Sequence, residues 1–407
     1  MLHHVIIGNG GAGISALQAI RDIDKTSDIT IISREKYPAY SPCSLPDLIG
    51  GEIDKIKIFR FEKNFYEDLN ANFLKNTEAL EISTINKELV LANGKKIKFD
   101  KLLISAGAKP ITPKQIKGLN LKGVHIMGTL DSALGILEHV KSGAKHAVII
   151  GGGFMGIETA TMLKKQGLNV TIVEMLPNIL SRMFDSDISK KIAEILKENK
   201  IELLLNDTLK SINGNKKVAS VSINKTKLNC DMVVLAIGIR PNTKIIQNSG
   251  IKTNHGIIVD SKMQTNKKDI FAAGDITEVK EQIEGITGTF AIWPNAIDQG
   301  RIAGLNMAGK ETKYDGAETV NVLDIFGTPV VAMGRTSNEI GNCKVISRFT
   351  PQHSKKILLK NNRIIGLQFF GTIRNAGTFY SLMKKGTDVS NIKVRLLDDN
   401  FIIAPDI

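Results

Sequence analysis

The chain has 407 residues, is 42% hydrophobic and carries a formal net charge of +13. That length exceeds what one core organises, so two or three domains follow, and no apolar run reaches the roughly 18–20 residues of a membrane span. Cys43, Cys230 and Cys343 are odd in number and far apart, with no Cys-x-x-Cys pair and no Cys/His cluster, which leaves neither a disulfide framework nor a metal site.

Met1 leads directly into "LHHVIIGNGGAG" without a basic, cleavable leader, so the expectation is a cytoplasmic chain with no membrane segment. Lysines are scattered through stretches such as "KNTEALEISTINKELVLANGKKIKFDK" and rarely alternate with aromatics. That pattern reads as a solvated surface and gives no expectation of nucleic-acid binding.

In chain order, "HHVIIGNGGAGISALQAIRDIDKTSDITIIS" reads as a buried strand, a glycine turn, a helix and a second strand. Gly8, Gly10 and Gly13 form G-x-G-x-x-G between the strand and the helical repeat of Ala16, Leu17 and Ile20. Residues 36–51, "KYPAYSPCSLPDLIGG", follow with Cys43 in a constrained segment where Pro46 suits the start of a helix. "NGKKIKFDKLLISAGAKP" reads as a hairpin, a strand and a turn.

"HAVIIGGGFMGIETATMLKKQGLNVTIVE" repeats the first unit, with Gly151, Gly153 and Gly156 in its turn. A pyrophosphate must approach backbone N–H groups at a helix N-terminus, where a Cβ would block it, and an acidic residue about 20 residues on takes the ribose hydroxyls. Glu174 ends the second strand at that distance. In the first unit Ser33 holds the equivalent place and Glu35 follows it. "LNCDMVVLAIGIRPNT" and "TNKKDIFAAGDIT" are further strand-and-turn segments, the latter ending on Gly274 and Asp275. From about residue 318 come strand-like runs and then a helix-like "RNAGTFYSLMKKG".

Together these motifs resemble the two-dinucleotide-binding flavoproteins that include the pyridine nucleotide-disulfide oxidoreductases. The resemblance implies an α/β fold with two Rossmann-like domains and a C-terminal α+β interface domain. The boundaries expected are 1–112 and 243–317 for a split FAD domain, 113–242 for the NAD(P) domain and 318–407 for the interface domain, which implies a homodimer. FAD would be held by Gly8, Gly10, Ala12 and Gly13, with Glu35, and by Gly274 and Asp275, whose carboxylate would meet the ribityl chain. Gly151, Gly153, Met155, Gly156 and Glu174 would hold the nicotinamide nucleotide. Ser105 and Gly107 in "SAGAKP", and Gly238 in "AIGIRP", look like the segments where the chain crosses between domains. Phe154 corresponds to an aromatic that covers the flavin, and Glu158, one turn on, would face the nicotinamide ribose. A carboxylate at Glu174 would accept from a 2′-hydroxyl and repel a 2′-phosphate, so NADH is expected over NADPH.

The segment around Cys43 resembles the single-cysteine branch of coenzyme A-disulfide reductases, NADH oxidases and NADH peroxidases, in which the cysteine cycles between thiolate and mixed disulfide or sulfenic acid. A thiol attacks as thiolate, and a helix N-terminus lowers its pKa. The chain departs from that branch at Gly11, where the peroxidases carry histidine, and in having only Tyr314 and Tyr380 among its last hundred residues. Rubredoxin reductases and the flavin portions of nitrite reductases are also similar, although Pro42, Cys43 and Asp47 replace their arginine, proline and lysine. Three readings therefore stand: reduction of a disulfide, persulfide or oxygen through Cys43; delivery of electrons to an acidic iron-sulfur protein steered by the positive charge; and NADH sensing by a non-catalytic flavoprotein.

Overall fold

The computed structural model describes residues 1–340, 342–398 and 401; the remaining positions of the expected C-terminal domain, 341, 399–400 and 402–407, lie outside the described residues. Its α-helices are α1 (Gly11–Ile23), α2 (Leu45–Gly50), α3 (Phe65–Asp68), α4 (Leu130–Lys141), α5 (Phe154–Lys165), α6 (Ser186–Glu198), α7 (Trp293–Met307) and α8 (Ala376–Lys385). The chain forms two compact units. One comprises Met1–Ser44, Asp54–Lys109 and Ile239–Glu318, the other Leu45–Ile53, Pro110–Gly238 and Thr319–Ile407.

The first unit is built on a parallel sheet whose strands lie in the order Ile270–Ala272, Lys101–Ile104, His3–Ile7, Asp28–Ile32, Ala71–Leu74. Strands buried on both faces read as continuous apolar runs, as "HHVII" does. Side chains alternate between the faces. Ile6, Ile31 and Leu103 join Leu17 of α1 and Ile302 of α7 in one core, whereas Val5, Ile7, Ile32, Leu102 and Ile104 join Ile82 and Leu89 in another. The helix α7, from "WPNAIDQGRIAGLNM", was not foreseen from the sequence. It packs on α1 with backbones almost touching: a Cβ on Gly300 would stand 2.1 Å from the Ala12 carbonyl oxygen, and one on Gly304 2.5 Å from that of Ala16.

The second unit repeats the scheme in the order Ile201–Leu205, Asn169–Glu174, His146–Ile150, Met232–Leu235, Val124–Ile126, again all parallel. An antiparallel meander, Leu209–Gly214, Val218–Ile223 and Lys227–Asn229, covers one face through Ile212, Val218, Val221 and Ile223. The same unit holds an antiparallel five-stranded sheet ordered Val320–Ile325, Thr328–Gly334, Arg363–Phe370, Ser354–Lys360, Lys344–Phe349. Helix α8 packs on it through Phe379, edge-on to Phe369. Two Rossmann-like halves and an α+β C-terminal portion are thus present. Among the described residues no helix is long and apolar enough to cross a membrane.

Candidate active site

The two glycine turns have the same geometry. Gly8 and Gly151 both hold φ at +112°, and their N–H groups donate to the carbonyls of Ile32 at 2.8 Å and Val173 at 2.9 Å. A Cβ would stand 2.1 Å from the Ser105 carbonyl oxygen at Gly8 and 2.4 Å from that of Ala236 at Gly151. The third glycines seat each helix against its strand: a Cβ on Gly13 would lie 1.9 Å from the Gly8 carbonyl oxygen, and one on Gly156 2.0 Å from that of Gly151. The middle glycines differ in kind. Gly10 and Gly153 are extended N-caps of α1 and α5, and a Cβ on either meets nothing within 4 Å. Open space is therefore kept in front of two helix starts whose first N–H groups lack intrahelical partners. These cradles fit the pyrophosphates of two dinucleotides.

Around the first turn, the Ser105 hydroxyl donates to the Ile7 carbonyl at 2.9 Å and so braces the turn from behind. Ser33, at the end of the second strand, accepts from the N–H of Glu35, and the Glu35 carboxylate accepts from the Tyr40 hydroxyl at 2.7 Å. Asn9, inside the turn, accepts from the Tyr66 hydroxyl at 2.7 Å, and that oxygen in turn accepts from the N–H of Ala39. Asn9 and Tyr66 escaped sequence reasoning because an isolated Asn–Tyr pair far apart in the chain has no pattern.

At the second turn the equivalent acid is already engaged. Buried Glu174 accepts from the Gly152 N–H at 2.6 Å through Oε2 and from the Leu176 N–H at 2.8 Å through Oε1. Arg182, the nearest following cation in sequence, is exposed. Phe154 opens α5 and is half-buried, as is Met155, whose carbonyl accepts from the Thr159 hydroxyl.

Glu158 lies one turn further along α5. Burial, and then the charge of Asp47, pushes its carboxyl up to about 7. Asp47 itself is raised by burial and by Glu52, with Lys165 opposing. Helix α2 packs along α5 in this register: a Cβ on Gly50 would stand 2.6 Å from Met162 Sδ, and Lys165 pairs with Glu52.

The "AAGD" segment is held by a residue that sequence reasoning missed. Gln299 of α7 is buried, and its Oε1 accepts from the Gly274 N–H at 2.8 Å and from the Thr277 hydroxyl at 2.7 Å. Gly274 holds φ at +82°, and a Cβ there would press on Ala12 at 3.0 Å. Trp293, the first residue of α7, lies where a Cβ on Gly11 would meet its ring at 3.1 Å. Asp275 is raised to about 6 by burial, opposed only by its backbone hydrogen bond. A buried carboxyl without a counter-charge suits a neutral hydroxyl donor, as a ribityl chain provides. Gly107 and Gly238, at φ +61° and +106°, stand where the chain crosses between units: Gly107 accepts from the Asn242 N–H and Gly238 from that of Ile111.

The three thiols are not equivalent. Cys43 is exposed, in the 3-10 turn Pro42–Ser44 directly before α2, whose first turn contains Pro46. Cys230 is buried and pushed up to about 12 by that burial, which keeps it protonated. Cys343 is half-buried and donates to the Ile340 carbonyl. Among the described residues no group of three or more His, Cys, Asp or Glu is placed to hold a metal ion.

Known proteins share this arrangement. An NADH oxidase of Methanocaldococcus jannaschii is 32% identical over 91% of this chain and 88% of its own length. The structure of an NAD-dependent persulfide reductase from A. fulgidus superimposes with a TM-score of 0.91 at 26% identity, covering 99% of this chain and 79% of that one. An NADH:rubredoxin oxidoreductase from Clostridium acetobutylicum gives 0.80 at 27%, covering 96% and 97%. FAD and NAD(H) are the cofactors that go with this architecture. With residues 2–300 matching the pyridine nucleotide-disulphide oxidoreductase model and two cradles built to one plan, the chain belongs to that family and is an FAD-dependent NAD(P)H oxidoreductase.

Proposed function

We propose that this enzyme uses NADH to reduce a sulfur–sulfur bond, in a disulfide or persulfide, through Cys43. The observation that carries the reading is the exposure of Cys43 in a turn, in a chain whose other two thiols are buried or half-buried. Bound FAD would supply the hydride chemistry that links NADH to the acceptor. Gly8, Gly10 and Gly13 would seat its pyrophosphate, and Asp275 its ribityl hydroxyls. Gly151, Gly153 and Gly156 would seat the nicotinamide nucleotide, Glu174 its adenosine ribose, and Phe154 and Glu158 would lie at its reactive end.

The Cys43 thiolate attacks one sulfur of the sulfur–sulfur bond, forming a mixed disulfide, or a cysteine persulfide where the substrate is a persulfide, and expelling the other sulfur as a thiolate. Two electrons and a proton then break the new sulfur–sulfur bond, regenerate the Cys43 thiolate and release the remaining sulfur as a thiol or as hydrogen sulfide. Likeness to the persulfide reductase supports this acceptor, and likeness to the NADH oxidase supports oxygen as a competing one. A second reading, reduction of an acidic iron-sulfur protein, is supported by the net charge of +13 and by likeness to the rubredoxin oxidoreductase. A homodimer and a cytoplasmic location belong to the same proposal, the former checked by light scattering.

The test is Cys43→Ser. The variant should be reduced by NADH at the wild-type rate under anaerobic conditions while turnover with coenzyme A disulfide or polysulfide falls by at least about a thousandfold. Unchanged turnover with these acceptors would remove the thiol from the mechanism, and rapid turnover with rubredoxin in its place would establish the second reading.

A further inference from the structure

The lysines that look scattered along the chain are gathered by the fold of the second unit. Residues 110–122 and 208–229 contain eight lysines and no aspartate, glutamate, arginine or aromatic residue. The two segments are tied together: the Ile212 N–H donates to the Lys117 carbonyl at 2.9 Å, the Val218 N–H to that of Lys122 at 2.9 Å, and Lys122 bridges Lys217. Lys114, Lys117 and Lys122 from the first segment are exposed, as are Lys210, Lys216, Lys217, Lys225 and Lys227 from the meander. Among the described residues none of them pairs with a carboxylate.

The two flanking acids do not offset this charge on the outer face. Asp207 accepts from the N–H groups of Thr208 and Asn224, and Asp231 from those of Lys145 and His146. The resulting positive field reaches His139: burial holds its imidazole below the ordinary value, Asp231 opposes, and Lys122 and Lys217 add to the depression. At the first segment lies a cavity of about 490 Å³ lined by Lys114, Thr112 and Asn120 and by half-buried Ile116, Leu119, Leu121 and Ile126, with Lys117 and Lys122 in the same stretch of chain. Lys122, Lys216 and Lys217 stand at the start of the parallel strands, the end opposite the Gly151 turn.

We propose that this face is a docking surface for an acidic polypeptide segment that places an apolar side chain in the cavity over Ile116, Leu119, Leu121 and Ile126. A charged rim around an apolar centre is the anatomy of a protein interface, in which the centre supplies affinity and the rim supplies rate and selectivity. The chemistry disfavours the other polyanions. Single-stranded nucleic acid calls for aromatic stacking platforms, and readout of guanine most often for arginine forks, and these segments contain neither aromatic residues nor arginine. The proposal is independent of Cys43 and holds for either acceptor.

The experiment uses FAD-loaded full-length protein and a short fluorescein-labelled peptide of glutamate and aspartate around one leucine, followed by anisotropy. Binding should weaken about tenfold between about 50 and 200 mM salt. Joint Lys117→Glu, Lys122→Glu, Lys216→Glu and Lys217→Glu should weaken it by at least about tenfold, whereas reversing exposed Lys55, Lys57, Lys252 and Lys310 should change it less than about twofold. Equal losses in both sets would reduce the effect to net charge and overturn the surface. If the reversed protein loses FAD or melts early, the same four positions as glutamine replace it, with about half the effect expected in logarithmic terms. Replacing the peptide's leucine by serine should also weaken binding several-fold; no change would overturn the role of the cavity. Tighter, patch-dependent binding of duplex DNA or of phosphatidylserine vesicles would overturn the polypeptide in favour of that partner.

Discussion

The Gly152 N–H points into the carboxylate of Glu174 at 2.6 Å, so the acid at the end of the second strand and the glycine turn beside it form one unit. A second bond, from the Leu176 N–H at 2.8 Å, fixes the other oxygen. Two N–H donors fix the orientation of the carboxylate before any nucleotide arrives. With the nicotinamide nucleotide seated at this turn as proposed, each oxygen would retain acceptor capacity for ribose hydroxyls and the carboxylate would repel a 2′-phosphate.

Glu174→Ala should therefore do two things at once. It leaves the Gly152 and Leu176 N–H groups without their acceptor and removes the charge that discriminates. The expected outcome is a fall in kcat/KM for NADH of about 10–100-fold, or about 1.4–2.8 kcal/mol, with the NADH to NADPH ratio approaching one. Steady-state kinetics with both nucleotides decide it. A preference for NADH that survives intact would show that selectivity resides elsewhere, for instance at exposed Arg182.

The glycines of each turn should respond differently to a single methyl group. At Gly156 a Cβ would collide with the Gly151 carbonyl oxygen at 2.0 Å, so Gly156→Ala must move α5 off its strand and lower the melting temperature. At Gly153 the space is open, and Gly153→Ala should fold as the wild type does while NADH affinity falls about tenfold or more, because the methyl occupies the nucleotide's place. Gly13→Ala and Gly10→Ala should reproduce this contrast for FAD retention. Thermal melts alongside nucleotide titration separate the two effects; equal melting points for Gly153→Ala and Gly156→Ala would contradict the packing argument.

Much of this site was legible because dinucleotide binding imposes local patterns. The strand, turn and helix around Gly8 and Gly151 are contiguous, and their glycines are dictated by close backbone approach rather than by distant partners. Helix α7 was illegible for the opposite reason. Gly300 and Gly304 weaken its own helical signal, and their purpose, contact with Ala12 and Ala16, exists only once α1 is in place. Gln299 was hidden likewise, since nothing in "AIDQGRIAG" shows that the glutamine faces Gly274. The lysine face emerged only because a bridge such as Lys122 to Lys217 brings remote segments together.

Glu158 should make stability fall with rising pH across the mildly acidic range. Burial and Asp47 hold its native carboxyl at about 7, against an ordinary value of 4.5, so between those values the native state keeps a proton that the unfolded chain has released. The contribution is complete below 4.5 and is lost as the pH rises through about 7. Glu158→Gln, which cannot titrate, should flatten this slope and gain on the order of 1–3 kcal/mol relative to wild type between the acid and neutral ends. Guanidinium unfolding of the FAD-loaded protein at several pH values is the measurement. Parallel curves for the two proteins would mean that Glu158 titrates normally.

Gln299 is the residue on which retention of FAD should depend most without itself belonging to either glycine turn. One buried oxygen satisfies both the Gly274 N–H and the Thr277 hydroxyl, while its amide nitrogen reaches the Tyr314 hydroxyl at 3.4 Å. Gln299→Leu keeps much of the volume but leaves the buried Gly274 N–H without its acceptor, at a cost of roughly 1–3 kcal/mol, while the Thr277 hydroxyl keeps the Gly274 carbonyl at 2.8 Å. The loss falls on the turn that carries Asp275, so the variant should release FAD on gel filtration and melt earlier, and added FAD should restore much of the lost stability. Gln299→Glu retains both acceptors but buries a charge beside Tyr314, and should retain FAD better at acidic than at neutral pH. If Gln299→Leu keeps a full complement of flavin and melts as the wild type does, α7 positions the "AAGD" turn by packing alone and the hydrogen bonds are incidental.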